Sequence, residues 1–138
     1  MNRDSNAYTF LFATLMVLVV ASSLAFTASS LKDLQNANVR KEKMQNILET
    51  IGIESDREEA EKLYRDYITA ELSLTQSGAV DADVSAFEIK LNNELKKPTS
   101  VQRFPMYEAE VEGEKYYIIP LRGAGLWNAI WGYIALEE

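Results

Sequence analysis

The stretch SNAYTFLFATLMVLVVASSLAFTASSL, residues 5–31, contains no acidic or basic side chain, although Arg3 and Asp4 precede it and Lys32 follows it. Its apolar heart, residues 8–26, would span roughly 28 Å as a helix at about 1.5 Å per residue, close to the ~30 Å hydrocarbon core of a bilayer. In lipid a single segment satisfies all its backbone N–H and C=O groups only as a helix, so the stretch reads as one transmembrane helix. The competing reading is a cleaved signal peptide, because residues 21–23 and 23–25 offer small side chains at a cleavage spacing. Against it, the apolar run exceeds the roughly 7–15 residues of a signal h-region, and the positive n-region is thin. For orientation, Arg3 lies on one side and Lys32, Arg40, Lys41 and Lys43 on the other. By charge alone that leaves the C-terminal part in the cytoplasm.

Working outward, the rest of the composition narrows the chemistry. Among 138 residues there is no cysteine and no histidine, which excludes disulfides, thiol nucleophiles, thiolate-bound metals and the usual imidazole base. Redox or acid–base work would need a borrowed cofactor or carboxylates. With 14 basic against 21 acidic residues and a net charge of −7, the chain lacks the basic face that phosphate-backbone binding requires, so no nucleic-acid role is expected.

Past the apolar stretch, Leu31, Leu34, Ala37, Met44, Ile47, Leu48 and Ile51 recur at spacings of mostly three or four, with Lys32, Arg40, Lys41 and Glu42 between them. This is an amphipathic helix leaving the bilayer, stopped at Gly52. Its basic cluster, Arg40, Lys41 and Lys43, reads as a solvated face, with lipid headgroups as the alternative. Ser55-Asp56-Arg57-Glu58 reads as a capping box opening a second helix that ends near Tyr67. The period then becomes two: Ala70, Leu72 and Leu74 alternate with Glu71, Ser73 and Thr75, a half-buried strand. Residues 86–91 alternate again and are expected to pair with that strand as a hairpin across a polar loop containing the Ser77-Gly78 turn. Residues 107–111 and 115–119 flank Glu112-Gly113-Glu114, a hairpin in which Gly113 supplies a positive φ. Residues 129–136 read as a buried strand. The expected fold class is α+β, with helices first and a mostly antiparallel sheet after.

Residues 120–127, Pro-Leu-Arg-Gly-Ala-Gly-Leu-Trp, carry the strongest site signal in the part beyond the membrane. Gly123 and Gly125 remove side chains from a bend between strands and allow close backbone approach. Leu126 and Trp127 could form the apolar and indole wall on which a planar cofactor stacks. A tight turn with a core tryptophan is the plainer alternative. Tyr116, Tyr117 and Tyr133 lie in expected strands, where amphipathic aromatics are ordinary. The acidic run Glu54, Asp56, Glu58, Glu59 and Glu61 suits a helix N-terminus and follows no Ca²⁺-loop spacing; no metal ligand set is expected.

Taken in order, several pieces resemble the C subunit of the sodium-translocating NADH:quinone reductase: the uncharged span, residues 31–38 (LKDLQNAN) leaving it, residues 44–48 (MQNIL), and residues 120–127 leading to residues 130–136 (IWGYIAL). Within that context, Gly123-x-Gly125-Leu126-Trp127 followed by Gly132-Tyr133 is fairly specific. The G subunit of the ion-pumping ferredoxin:NAD oxidoreductases shares the architecture. The resemblance implies one membrane helix and an FMN-binding domain on the outer, periplasmic side of a bacterial inner membrane, which overrides the charge-based orientation. It also implies FMN held covalently through its phosphate to a threonine hydroxyl. The chain would then relay electrons within a complex of six subunits that oxidises NADH, reduces quinone and exports Na⁺.

One departure limits what carries over. The family attaches its flavin at a Ser-Gly-Ala-Thr-x-Thr motif, and the nearest match here is Ser77-Gly78-Ala79-Val80, where valine has no hydroxyl to esterify. The Glu-Thr-x-Gly-Leu-Gly segment that follows the Trp-Gly-Tyr strand in the family is also missing. The sequence therefore reads as the amino-terminal portion of a longer family member: a transmembrane anchor at 1–31, an amphipathic stalk helix at 32–52, and the N-terminal part of an FMN-binding domain at 53–138. Gly123, Gly125, Leu126 and Trp127 carry over as non-covalent neighbours of the flavin, with no catalytic residue and no covalent attachment point. The different class of function is a membrane-anchored module that only binds or scaffolds partners.

Overall fold

A computed structural model describes residues 6–138. It divides into two compact units, Met1–Val39 and Arg40–Glu138. The first is the exposed part of helix α1 (Asn6–Thr50), which carries a stretch long and apolar enough to cross a membrane, with none of that stretch buried. Inside it, the hydroxyls of Ser23, Thr27 and Ser30 donate to the carbonyls four residues earlier, Val19, Ser23 and Phe26, at 2.8–2.9 Å. That bond lets hydroxylated residues sit in an apolar helix without an unsatisfied polar group.

The second unit takes in the last turns of α1, then α2 (Ala60–Tyr67), β1 (Ile68–Leu74), a short helix α3 (Leu91–Glu94), β2 (Phe104–Val111), β3 (Glu114–Ala124) and β4 (Ala129–Glu137). The sheet is antiparallel throughout, in the order β1-β2-β3-β4. Its core gathers Ile47 and Leu48 of α1, Tyr64 of α2, Phe87 of the connection, Tyr107 and Ala109 of β2 and Ile118 of β3. The end of the expected stalk thus belongs to the domain: Met44 and Ile51 also pack on this cluster.

Helix α1 ends where expected, with Gly52 at φ +80°. The cap of α2 differs from the expected box. Asp56, not Ser55, closes the turn leading into α2: its Oδ1 accepts the N–H groups of Glu58 and Glu59 at 3.0 and 3.1 Å, while the N-cap residue Glu59 makes no side-chain cap bond. Ser55 Oγ is buried with no hydrogen-bond partner. The β2–β3 hairpin is as expected but tighter: Val111 pairs with Glu114, and both Glu112 and Gly113 have positive φ, 54° and 89°. Two consecutive left-handed residues give the turn the twist of its strands. Pro105 is tolerated in β2 because it pairs only with Ser73 of β1, whereas pairing with β3 begins at Tyr107; its missing N–H breaks no ladder there.

Two expected strands need correction. Residues 86–91 do not form a hairpin with β1. Ala86–Glu88 is a 3₁₀ turn and Leu91 opens α3, with Glu88 and Ile89 N–H bonded locally to Ser85 and Ala86 carbonyls. Phe87 and Ile89 are nonetheless buried; the alternation reported burial correctly and backbone conformation wrongly. The last strand, β4, exists, but it is an edge strand and largely exposed: Ile130, Trp131, Ile134 and Leu136 all keep more than two-fifths of their surface open.

The connection between β1 and β2 is held by charge. Buried Glu94 accepts from Lys97 Nζ at 2.7 Å and from the Arg103 N–H at 3.1 Å. Arg103 Nε reaches Asp81 at 2.6 Å. The Arg103 hydrogen bond, helped by the Asp83 N–H, holds the Asp81 carboxyl below the usual range, and the Lys97 hydrogen bond does the same for Glu94.

Candidate functional site

The glycine-rich segment lies at the turn between β3 and β4. Strand β3 runs through Pro120 as far as Ala124, which pairs with Ala129, so residues 125–128 form the tip. The Gly125 N–H donates to the Asn128 carbonyl at 3.0 Å, and Asn128 Oδ1 accepts the Ala129 N–H at 2.8 Å. The two glycines play different parts. A Cβ on Gly125 would lie 2.4 Å from the Asn128 carbonyl oxygen and 2.8 Å from Ile130 Cγ1, whereas one on Gly123 would meet nothing within 4 Å. Gly125 is required by the turn itself, and Gly123 leaves open backbone beside the sheet.

Leu126 and Trp127 stand at the tip, 92% and 95% exposed. Trp127 is therefore not a core residue, and the plainer alternative holds only in its turn. Neither side chain forms the wall of a closed pocket. An indole left this open presents a full ring face for stacking with nothing opposite it among the described residues.

The more enclosed feature has no contiguous signature in the sequence. A cavity of about 180 Å³ is bounded by Lys43 of α1, Ile89 and Lys90 of the connection, Pro105 of β2, Pro120 and Arg122 of β3, and Trp131 and Tyr133 of β4. Antiparallel register explains the grouping: Pro120 pairs with Tyr133 and Arg122 with Trp131, so all four share the sheet face that also carries Ile118 and Ala135. An adjoining open depression of about 440 Å³ shares Arg122, Trp131 and Tyr133 and extends along Gly123, Ala124 and Ile130.

Lys43 shows that the basic cluster is only partly a solvated face. Its ammonium donates to the Phe87 carbonyl and sits 4.5 Å from the Phe87 ring centre and 5.8 Å from that of Tyr107. Burial lowers its pKa, with Glu88 and Glu71 opposing that shift. Arg40 pairs with Glu88 and covers Phe87 at 4.7 Å. Tyr64 donates to Glu71 at 2.9 Å, and burial is the main reason its phenol, like that of Tyr107, is held far above the ordinary value. Burial also pushes Tyr133 up to about 12. Among the described residues no group of acidic side chains is arranged to hold a metal ion.

These residues can be tested against a bound flavin. A ring laid against the β3–β4 end would find an apolar and aromatic surface on one side, with backbone open at Gly123. Covalent attachment at residues 77–80 does not fit. The only partial match to an attachment motif, residues 77–80, follows β1 at one edge of the sheet, where Val80 bridges to Leu74, while the glycine hairpin belongs to β3 and β4 at the other.

No protein-family model matches the chain. Curated proteins named as the C subunit of the Na(+)-translocating NADH-quinone reductase align with 99% of it: at 24% identity from Haemophilus ducreyi, 27% from Vibrio parahaemolyticus and 28% from Pseudomonas aeruginosa. The alignments cover 59–60% of those proteins, so the chain spans about three-fifths of the length of the curated relatives it matches. Among solved structures, the C subunit of the same enzyme from Parabacteroides distasonis matches with a TM-score of 0.70 and 30% identity, over 78% of this chain and 51% of that one. In sequence along nearly its whole length, and in its fold of a long apolar helix with a four-stranded antiparallel sheet, the chain resembles the C subunit of the Na⁺-translocating NADH-quinone reductases.

Proposed function

We propose that the chain serves as an electron-transfer component of a Na⁺-translocating NADH:quinone reductase, anchored in a bacterial inner membrane by the apolar part of α1, with the sheet domain on the periplasmic side. The carrying observation is the alignment with the C subunit over 99% of the chain, joined to the likeness in fold. Membrane lipid and the other subunits of the complex, six in all, are its partners. Bound FMN would supply one-electron carrier chemistry that the side chains lack. The protein's part is position: Gly123 leaves the backbone approachable, Gly125 fixes the turn, and Leu126 and Trp127 offer apolar and indole surface to the ring. Val80, in the one partial match to the attachment motif, offers no hydroxyl for a phosphoester.

The test is FMN binding by the detergent-solubilised 138-residue chain. Quenching of flavin fluorescence should saturate, Trp127→Ala should weaken it, and denaturing gels should show no fluorescent band. A chain that does not quench, or quenching unaltered by Trp127→Ala, would remove these residues from the flavin site. A fluorescent denatured band would overturn the non-covalent reading.

A further inference from the structure

The cavity beneath the β3–β4 end shares Trp131 and Tyr133 with the surface offered to the flavin but adds a cationic lining that the flavin reading does not use. Three of the protein's 14 basic residues, Lys43, Lys90 and Arg122, border it, and no carboxylate does. In a chain of net charge −7, that gathering runs against the overall balance. None of the three forms an ion pair among the described residues, whereas Arg40 close by is paired with Glu88. Lys43 is the most demanding of them. It is partly buried, and the acceptors it meets are one carbonyl and two ring faces, although an ammonium carries three donors. A desolvated cation is ordinarily paired, and here the open side of the cavity is where a partner can enter.

Shape and wall chemistry narrow the occupant. At about 180 Å³ the cavity is smaller than the roughly 300–1,000 Å³ that takes a whole drug-sized ligand, so by itself it takes a single ring or a headgroup, and anything larger would extend into the adjoining depression. Ile89, Pro105 and Pro120 make it apolar, and Trp131 and Tyr133 give it aromatic surface. We propose that this cavity binds a single-ring aromatic anion, its carboxylate or phosphate held by Lys43, Lys90 and Arg122 and its ring against Trp131 and Tyr133. The inference does not involve the exposed tip of the flavin hairpin, although Trp131 and Tyr133 also line the depression beside it.

Titration of the full chain in detergent micelles with phenyl phosphate, followed by tryptophan fluorescence in a Trp127→Phe background so that Trp131 alone reports, tests the assignment. Saturation with a Kd below ~1 mM is expected, with at least ~10-fold weakening in Lys43→Met and in Arg122→Gln. Benzyl alcohol, which has the ring without the charge, and inorganic phosphate, which has the charge without the ring, should each bind at least ~10-fold more weakly. Arg122 is on an exposed strand position, so its variant tests the charge even if Lys43→Met fails to fold. No saturable change, equal binding of either partial ligand, or wild-type affinity in Arg122→Gln would overturn the proposal.

Discussion

Replacing Gly125 by alanine should open the β3–β4 turn, and replacing Gly123 should not. A Cβ at position 125 would lie 2.4 Å from the Asn128 carbonyl oxygen, the acceptor of the Gly125 N–H, and 2.8 Å from Ile130 Cγ1. A side-chain atom can rotate away, but the carbonyl oxygen can move only if the chain at 125–128 moves with it. Relief therefore costs the closing hydrogen bond, about 0.5–1.5 kcal/mol, plus the strain of fitting an added methyl group, about 1–3 kcal/mol when it falls in a tight site. Because the tip is exposed, the cost should be felt as local opening and not as global unfolding. At about 1.5–4.5 kcal/mol in all, exchange of the amides at 125 and 129 should accelerate roughly 10- to 2,000-fold. At Gly123, where a Cβ meets nothing within 4 Å, Ala should stay within about 0.5 kcal/mol of the parent. Amide hydrogen exchange of the two variants in micelles measures both. Equal protection in Gly125→Ala and the parent, or equal loss in the two variants, would refute the separation of roles.

Leu48→Ala removes a fully buried side chain from the junction of α1 and the sheet; a loss of about 2–5 kcal/mol is expected, read as a fall in the denaturant midpoint, whereas Leu126→Ala at the exposed tip should leave the midpoint within error. Acid should loosen the β1–β2 connection. The Asp81 carboxyl is depressed by Arg103, so its stabilisation is complete above the unfolded value of about 3.9 and is lost as pH falls through the lower folded value; Asp81→Asn should remove that part of the acid transition in a pH series of unfolding curves. Alkali should act through the tyrosines. Burial raises Tyr64, Tyr107 and Tyr133, the last to about 12, so stability should begin to fall near the unfolded value of about 10 and, for Tyr133, keep falling to about 12. Ionisation of Tyr64, Tyr107 or Tyr133 at pH 10 without loss of folded structure, read by single Tyr→Phe variants in the tyrosinate absorbance, would contradict this.

The parts of the fold legible in the sequence were those fixed by local chemistry. An uncharged apolar run, a glycine stop at position 52, a period-two strand at Ile68–Leu74 and the Glu112-Gly113 turn each depend on residues adjacent in the chain. What failed depended on partners. Ala86 to Leu91 alternates because Phe87 joins the core of α1 and the sheet and Ile89 is also buried, a burial pattern that a strand and an irregular connection share. β4 looked buried from its composition, yet as the edge strand its apolar residues have a neighbour on only one side. For the candidate site, the position of residues 120–127 at a bend was legible, but the exposure of Trp127 was not, because sequence does not reveal that a turn carries it beyond the sheet. The cationic cavity has no local sequence signature for a related reason. Lys43, Lys90, Arg122 and Trp131 are separated by up to 88 residues, and only the antiparallel register and the return of α1 against the sheet join them. Sheet-face parity of Arg122, Trp131 and Tyr133 was the available signal.

The proposed place of this chain within a sodium-translocating NADH:quinone reductase can be checked by affinity purification of the tagged chain from its native membranes in mild detergent, followed by assay of NADH:quinone reduction with and without Na⁺. The chain should carry with it an assembly of several subunits whose quinone reduction is stimulated by Na⁺ and is lost when the tagged chain is depleted. Recovery of the chain without such subunits, while Na⁺-stimulated activity remains in the membranes it was removed from, would contradict it.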